Sequence, residues 1–207
     1  MRPLLSAEML KLLRQPALLF WGYLAVPLVA LLFKVIIEGL LVVRFGFQAG
    51  ASVDLFGSAA KSLSVSGNSL AQLLYALGIA SVFFFEYRHS TWRLLVPRHA
   101  RSQLFAAKYL TCLVLLALGL LLAVCGDMLV NLLLLFLKGQ GFAGLVLSGG
   151  SFAVLVGAFA IATLQLAVLA ALVAVLVILS RSLIGAVIPA FLLAIGSTLL
   201  QLYMGSD

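Results

Sequence analysis

Long apolar runs broken by short polar stretches fill the chain, and their lengths suit a bilayer better than a soluble core. The first, Ala17 to Ile37, has 21 residues, which at about 1.5 Å each cover roughly 30 Å of hydrocarbon. Ser69 to Phe85 is shorter but strongly apolar; Asn68 or Ser69 starts it and Phe83, Phe84 and Phe85 end it. Tyr109 to Leu137 and Ser151 to Leu179 have 29 residues each. At about 43 Å when helical, both must tilt or project beyond the lipid. Leu183 to Met204, which contains Pro189, completes five predicted spans. The pattern predicts an all-α, polytopic helical membrane protein with a single transmembrane domain over residues 1–207.

The stretches between these runs assign the two sides. Leu4 to Gln15 places Leu5, Met9, Leu12 and Leu13 at helical spacing and reads as an amphipathic helix on the cytosolic membrane surface, ended by Pro16. Glu38 to Asn68 is mixed in character and is expected outside, partly as an interfacial helix. Glu86 to Lys108 carries Arg88, Arg93, Arg98, Arg101 and Lys108 with one acid, and reads as a cytosolic loop. Lys138 to Gly150 is a glycine-rich outer loop, and Arg181 with its flanking serines marks a tight cytosolic turn.

Composition agrees with this division. The chain is 65% hydrophobic and 9% charged, where soluble domains carry about 25% charged residues. A net charge of +7 raises the question of nucleic acid. The basic residues flank apolar segments instead, and nine of the 13 fall on the side predicted to be cytosolic, so they set orientation with the N terminus inside. The stretch after Arg2, Lys11 and Arg14 is too long for a signal-peptide core and lacks a clear cleavage site, so an uncleaved first span is expected. Cys112 and Cys125 share one apolar run and are expected to be buried packing residues.

The order of residues in the polar loop adds more. Glu86, Thr91, Leu94, Leu95, Pro97, Arg101 and Lys108 follow one another between spans two and three, with Ser90 before Thr91. This arrangement resembles the ABC-2-type permeases, the membrane subunits of bacterial ABC exporters. Their second span typically ends in Glu, followed by Gly-Thr, Leu-Leu, Pro, Arg, and a Lys at the start of span three; here Ser90 replaces the Gly. The N-terminal Ala-Glu-Met-Leu-Lys-Leu-Leu-Arg is similar to the family's interfacial helix. The residue-level match covers about 23 positions, and the family norm is six spans. A shortened relative or a chain lacking its last span is therefore expected.

The resemblance implies a bacterial inner-membrane protein that couples a separate cytosolic ATPase, in two copies, to export, together with a second permease copy or homologue and membrane lipids. ATP and Mg would belong to the partner ATPase. It also implies that the loop acts as a coupling helix. Thr91 to Val96 can form one or two turns presenting Trp92, Leu95 and Val96 to a partner groove before Pro97 forces a bend. Trp92 and Arg93 are of the types that anchor such contacts. Glu86 can pair with a loop arginine, and Arg101 and Lys108 complete the set. Charge alone favours a plainer reading, retention of the loop in the cytosol beside anionic lipid; the ordered motif reverses that preference. A membrane scaffold anchoring a cytosolic partner without moving solute stands as the alternative.

No catalytic or metal site is expected. A Gly-x-x-x-x-Gly-Lys-Ser/Thr phosphate loop is missing from the sequence, and His89 and His99 lie on the polar loop with no Cys or acid cluster beside them. Within the spans, Asp127 and Asn131 are four apart and so share a helix face. They are candidates for a polar point on a substrate path, with Gln165 a weaker one. An interfacial position or a structural hydrogen bond is the favoured reading of Asp127. Lys34 and Glu38 suggest an exposed pair at the outer end of span one with no assigned function. Small residues four apart in span four, such as Ala153 and Gly157, permit close helix packing.

Overall fold

A computed structural model describes residues 2–45, 53–88, 101–137 and 145–204. Helix α1, Arg2–Leu13, turns Glu8 and Leu12 inward and leaves Leu10 and Leu13 exposed. A new helix starts after Gln15 with Pro16 in its first turn, where a missing N–H costs nothing. It comprises α2, Pro16–Leu19, a π-helical turn, Phe20–Leu24, and α3, Ala25–Phe45. The widened turn has a local cause: Pro27 cannot donate to the Tyr23 carbonyl four residues back, and its ring crowds that carbonyl.

The segment from Glu38 to Asn68, expected to be partly an interfacial helix, is largely helical where it is described, with α3 running on to Phe45. Val53–Asp54 forms β1, Leu55–Ser62 is helix α4, and Leu63–Gly67 is a 3₁₀ turn. Leu55, Ala59 and Leu63 are buried, because α4 packs against two of the long apolar helices, Arg101–Leu137 and Gly149–Ser180. Asp54 caps α4, accepting from the Gly57 N–H at 3.1 Å. At Asn68 the chain bends by 67° into α5, Ser69–Arg88. The Asn68 side chain accepts from the Leu70 N–H and so starts the new helix.

Helix α6, Arg101–Leu137, begins well before Tyr109, so the end of the polar loop is helix. Leu145–Val146 forms β2, which pairs in parallel with β1. Helix α7 spans Gly149–Ser180 and α8 spans Leu183–Met204 with Pro189 inside. Between α7 and α8, Arg181 adopts a left-handed conformation at φ 51° and donates its N–H to the Val177 carbonyl.

Among the described residues four helical stretches are long and apolar enough to cross a membrane, Pro16–Leu40, Ser102–Leu137, Gly149–Ser180 and Leu183–Leu200, or five if the bent pair Leu55–Gly67 and Ser69–Phe85 counts as one span. Their outer faces carry Leu32, Ile161, Leu164 and Ile184, each more than 60% exposed. Water would not tolerate such a surface; lipid does. The inner faces meet in one core that includes Tyr75, Ile79, Leu116, Leu166, Val173 and Val177. Cys112 lies within that core and accepts a hydrogen bond from the Tyr23 hydroxyl, whereas Cys125, also expected inside, is exposed.

Glycine permits a close backbone approach between two helices. A β-carbon on Gly22, in the π turn, would lie 2.6 Å from the Gly78 α-carbon, and one on Gly78 would meet Gly22 backbone at the same distance. The first membrane helix and α5 therefore cross backbone against backbone.

Candidate functional site

Lys34 and Glu38 do not form an ion pair in the structure. Lys34 turns into the bundle, where its ammonium lies 2.5 Å from Asp127 Oδ1, 2.9 Å from Asn131 Oδ1 and 3.1 Å from Ser58 Oγ. All three N–H donors are thereby used. Asn131 Nδ2 donates to Ser58 Oγ and to Asp127 Oδ2, and the Ser58 hydroxyl donates to Asp127 Oδ2 at 2.8 Å. Each element contributes what its spacing allows: α6 presents Asp127 and Asn131 on one face, α3 brings the cation, and α4 inserts the serine.

Asp127 is 1% exposed. A lone carboxylate there would be costly in hydrocarbon, and the pair is supported because both Asp127 oxygens accept hydrogen bonds and all three Lys34 donors are used. Asp127 and Asn131 thus bond to each other and to Lys34 and Ser58, forming a closed joint between three elements. Gln165 has no place in this network; it lies on α7 with its amide against Gly67 in the 3₁₀ turn.

Among the described residues, clefts open on several sides of the joint. A mainly apolar one of about 500 Å³ runs between α3 and the 3₁₀ turn with α5, touching Phe33, Lys34, Glu38, Val65 and Leu74. A more polar one of about 400 Å³ reaches Glu38, Asp54, Ser58, Lys61 and Asn131. A third, about 250 Å³, lies between Leu31, Lys34, Ser62 and Asp127. Asp54 also accepts from the Ser151 hydroxyl at 2.5 Å, which ties α4 to the start of α7. The Ser151 and Gly57 hydrogen bonds hold its carboxyl below the usual aspartate range.

A second charged cluster closes the opposite end. Lys108 of α6 is 3% exposed in its side chain and lies 3.2 Å from Glu8 Oε2, while Lys11 lies 2.6 Å from Glu8 Oε1. Burial pushes the Glu8 carboxyl up, but Lys108 and Lys11 outweigh it and hold the group below its ordinary value. Phe83 on α5, Phe105 and Tyr109 form a run of ring contacts beside this cluster at 5.7 and 6.2 Å. Of the residues expected to couple to a partner, Lys108 is therefore the anchor of α1. Glu86 lies near the end of α5 and Arg101 is the first residue of α6. Thr91, Trp92, Arg93, Leu95 and Pro97 lie outside the described residues.

A family model described as ABC-2 family transporter protein matches residues 4–197. The chain belongs to this family. Neither a curated protein nor a solved structure gives a match. Members of the ABC-2 family are permeases, generally the non-catalytic membrane components of transporters, and they generally partner with ATPase subunits. For this ABC-2 permease, reasoning from sequence missed three residues of its charged joints. Lys34 reads as part of a local i,i+4 pair with Glu38, Ser58 as one of many loop serines, and Glu8 as part of a surface helix. Only Lys34 carries a signal, since a lysine within an otherwise apolar span needs a buried anion.

Proposed function

We propose that this ABC-2 permease is the membrane half of an ATP-driven exporter. It would reside in a bacterial inner membrane with its N terminus cytosolic, paired with a second permease copy or homologue and with two cytosolic ATPase subunits. ATP and Mg would act on those subunits, and the Glu86 to Lys108 region would receive their motion. Substrate would pass between, or along, the two membrane halves.

What supports coupling is the way residues 89–100 are flanked. Helix α5 leads into them and α6 leads out. The two helices are in contact through Phe83 and Phe105, and α6 grips α1 through Lys108 and Glu8. A push on that segment would reach two membrane helices and the interfacial helix together, since packed helices shift as rigid bodies.

Affinity purification of the tagged protein in mild detergent, with mass spectrometry and an ATPase assay, tests the reading. A co-purifying ABC ATPase that is lost or uncoupled by Glu86→Ala with Arg101→Ala is expected. A stable, well-folded protein with no ATPase partner would overturn it.

A further inference from the structure

The apolar cleft between α3 and the 3₁₀ turn with α5 carries one uncompensated charge. Its walls include Val26, Val29, Phe33, Ile37, Val65 and Leu74, and its volume of about 500 Å³ suits a drug-sized molecule. Two charged residues line it, Lys34 and Glu38. The Lys34 charge is cancelled by Asp127, and its three donors are used within the joint. Glu38 lies one turn further along α3, half-buried, with no hydrogen bond or ion pair among the described residues. In the adjoining polar cleft it is joined by Asp54 and Lys61, whose opposite charges offset one another. Glu38 is therefore the one charged group lining the apolar cleft that has no partner among the described residues.

We propose that this cleft binds a lipophilic cation, an organic ammonium or phosphonium carrying apolar groups, with Glu38 as its counter-ion and Phe33 offering a ring face to the charge. The apolar body replaces lipid or water along α3 and α5, and the cation completes the valence that Glu38 lacks. An anionic amphiphile meets the opposite situation, because the cation nearest to it is already committed to Asp127. As the substrate class of the transporter, this assignment rests on the permease reading; as a binding site it stands without it.

The test uses the full chain in lipid nanodiscs with tetraphenylphosphonium as probe and tetraphenylborate, its near-isosteric anion, as competitor. Saturable binding is expected, weakened about tenfold by Glu38→Gln and partly restored by Glu38→Asp. Val29→Trp, which fills the cleft from an exposed position, is expected to abolish it, with size-exclusion profiles confirming that the variants fold. Tetraphenylborate is expected not to compete. Non-saturable uptake, equal binding by Glu38→Gln, or equal competition by the borate would each overturn the assignment. Partner ATPase is assayed in the same preparations. Loss of the binding result with the ATPase retained removes the cation site and leaves the permease; the converse removes the permease and leaves the site.

Discussion

A β-carbon on Gly22 would lie 2.6 Å from the α-carbon of Gly78, too close for carbon atoms in contact. Because the obstacle is backbone, no side-chain rotation relieves it. Gly22→Ala and Gly78→Ala are each expected to cost about 1–3 kcal/mol through forced separation of the two helices. Gly126→Ala makes an informative contrast: its new methyl meets the tip of the Leu31 side chain, which can rotate. Thermal melts of the three variants in one detergent check the ranking, with Gly126→Ala mildest.

Removing one member of the Lys34–Asp127 pair leaves the other charged and stranded. Lys34→Met alone is expected to destabilise by about 3–5 kcal/mol, and Lys34→Met with Asp127→Leu to recover much of that. A double-mutant cycle on denaturation midpoints measures the coupling. Additive losses from the two single variants would contradict a closed joint.

The Glu8 clamp depends on pH with a defined sign. Its carboxyl is held below the ordinary glutamate value of 4.5 in the folded chain. It therefore contributes stability above that value, and the contribution fades as pH falls from there through the lowered folded value. Thermal stability of the wild type is expected to drop over that acid range. Glu8→Gln should show a smaller drop and a lower melting point at neutral pH. Parallel melts between pH 3 and 7, on the order of the usual carboxylate range, compare the two.

Arg181 holds a backbone conformation that side chains with a β-carbon resist, at φ 51°. Arg181→Gly is expected to leave stability unchanged or raise it by about 0.5–1 kcal/mol, and Arg181→Val to lower it by about 1–2 kcal/mol. Melts in detergent separate the outcomes.

Membrane class and helical architecture are legible in the apolar runs, because lipid demands long stretches with satisfied backbones. The break at Asn68 is also legible, since its side chain is suited to starting a helix. The burial of α4 is not. Its sequence, Leu55-Phe-Gly-Ser-Ala-Ala-Lys-Ser62, is too short and too polar to read as a membrane element. Its small residues allow it to pack against α6 and α7 once those helices are present. In the joint, the i,i+4 relation of Asp127 and Asn131 is local and can be read from spacing. The cation is 93 positions from Asp127, and no periodicity within one helix reports such a partner. The ordered loop motif points to the ABC-2 family but says nothing of Glu8, whose partner Lys108 is 100 positions away.

That separation of 93 positions sets a schedule for biogenesis. Lys34 enters the bilayer with the first helix, while the carboxylate that neutralises it is still unmade. At roughly 5–20 residues per second, the ribosome needs on the order of 5–20 seconds more to deliver Asp127. During that interval the ammonium must reach for a headgroup or be sheltered by the insertion machinery. The first helix is thus made with a lysine whose native partner exists only once α6 has followed it.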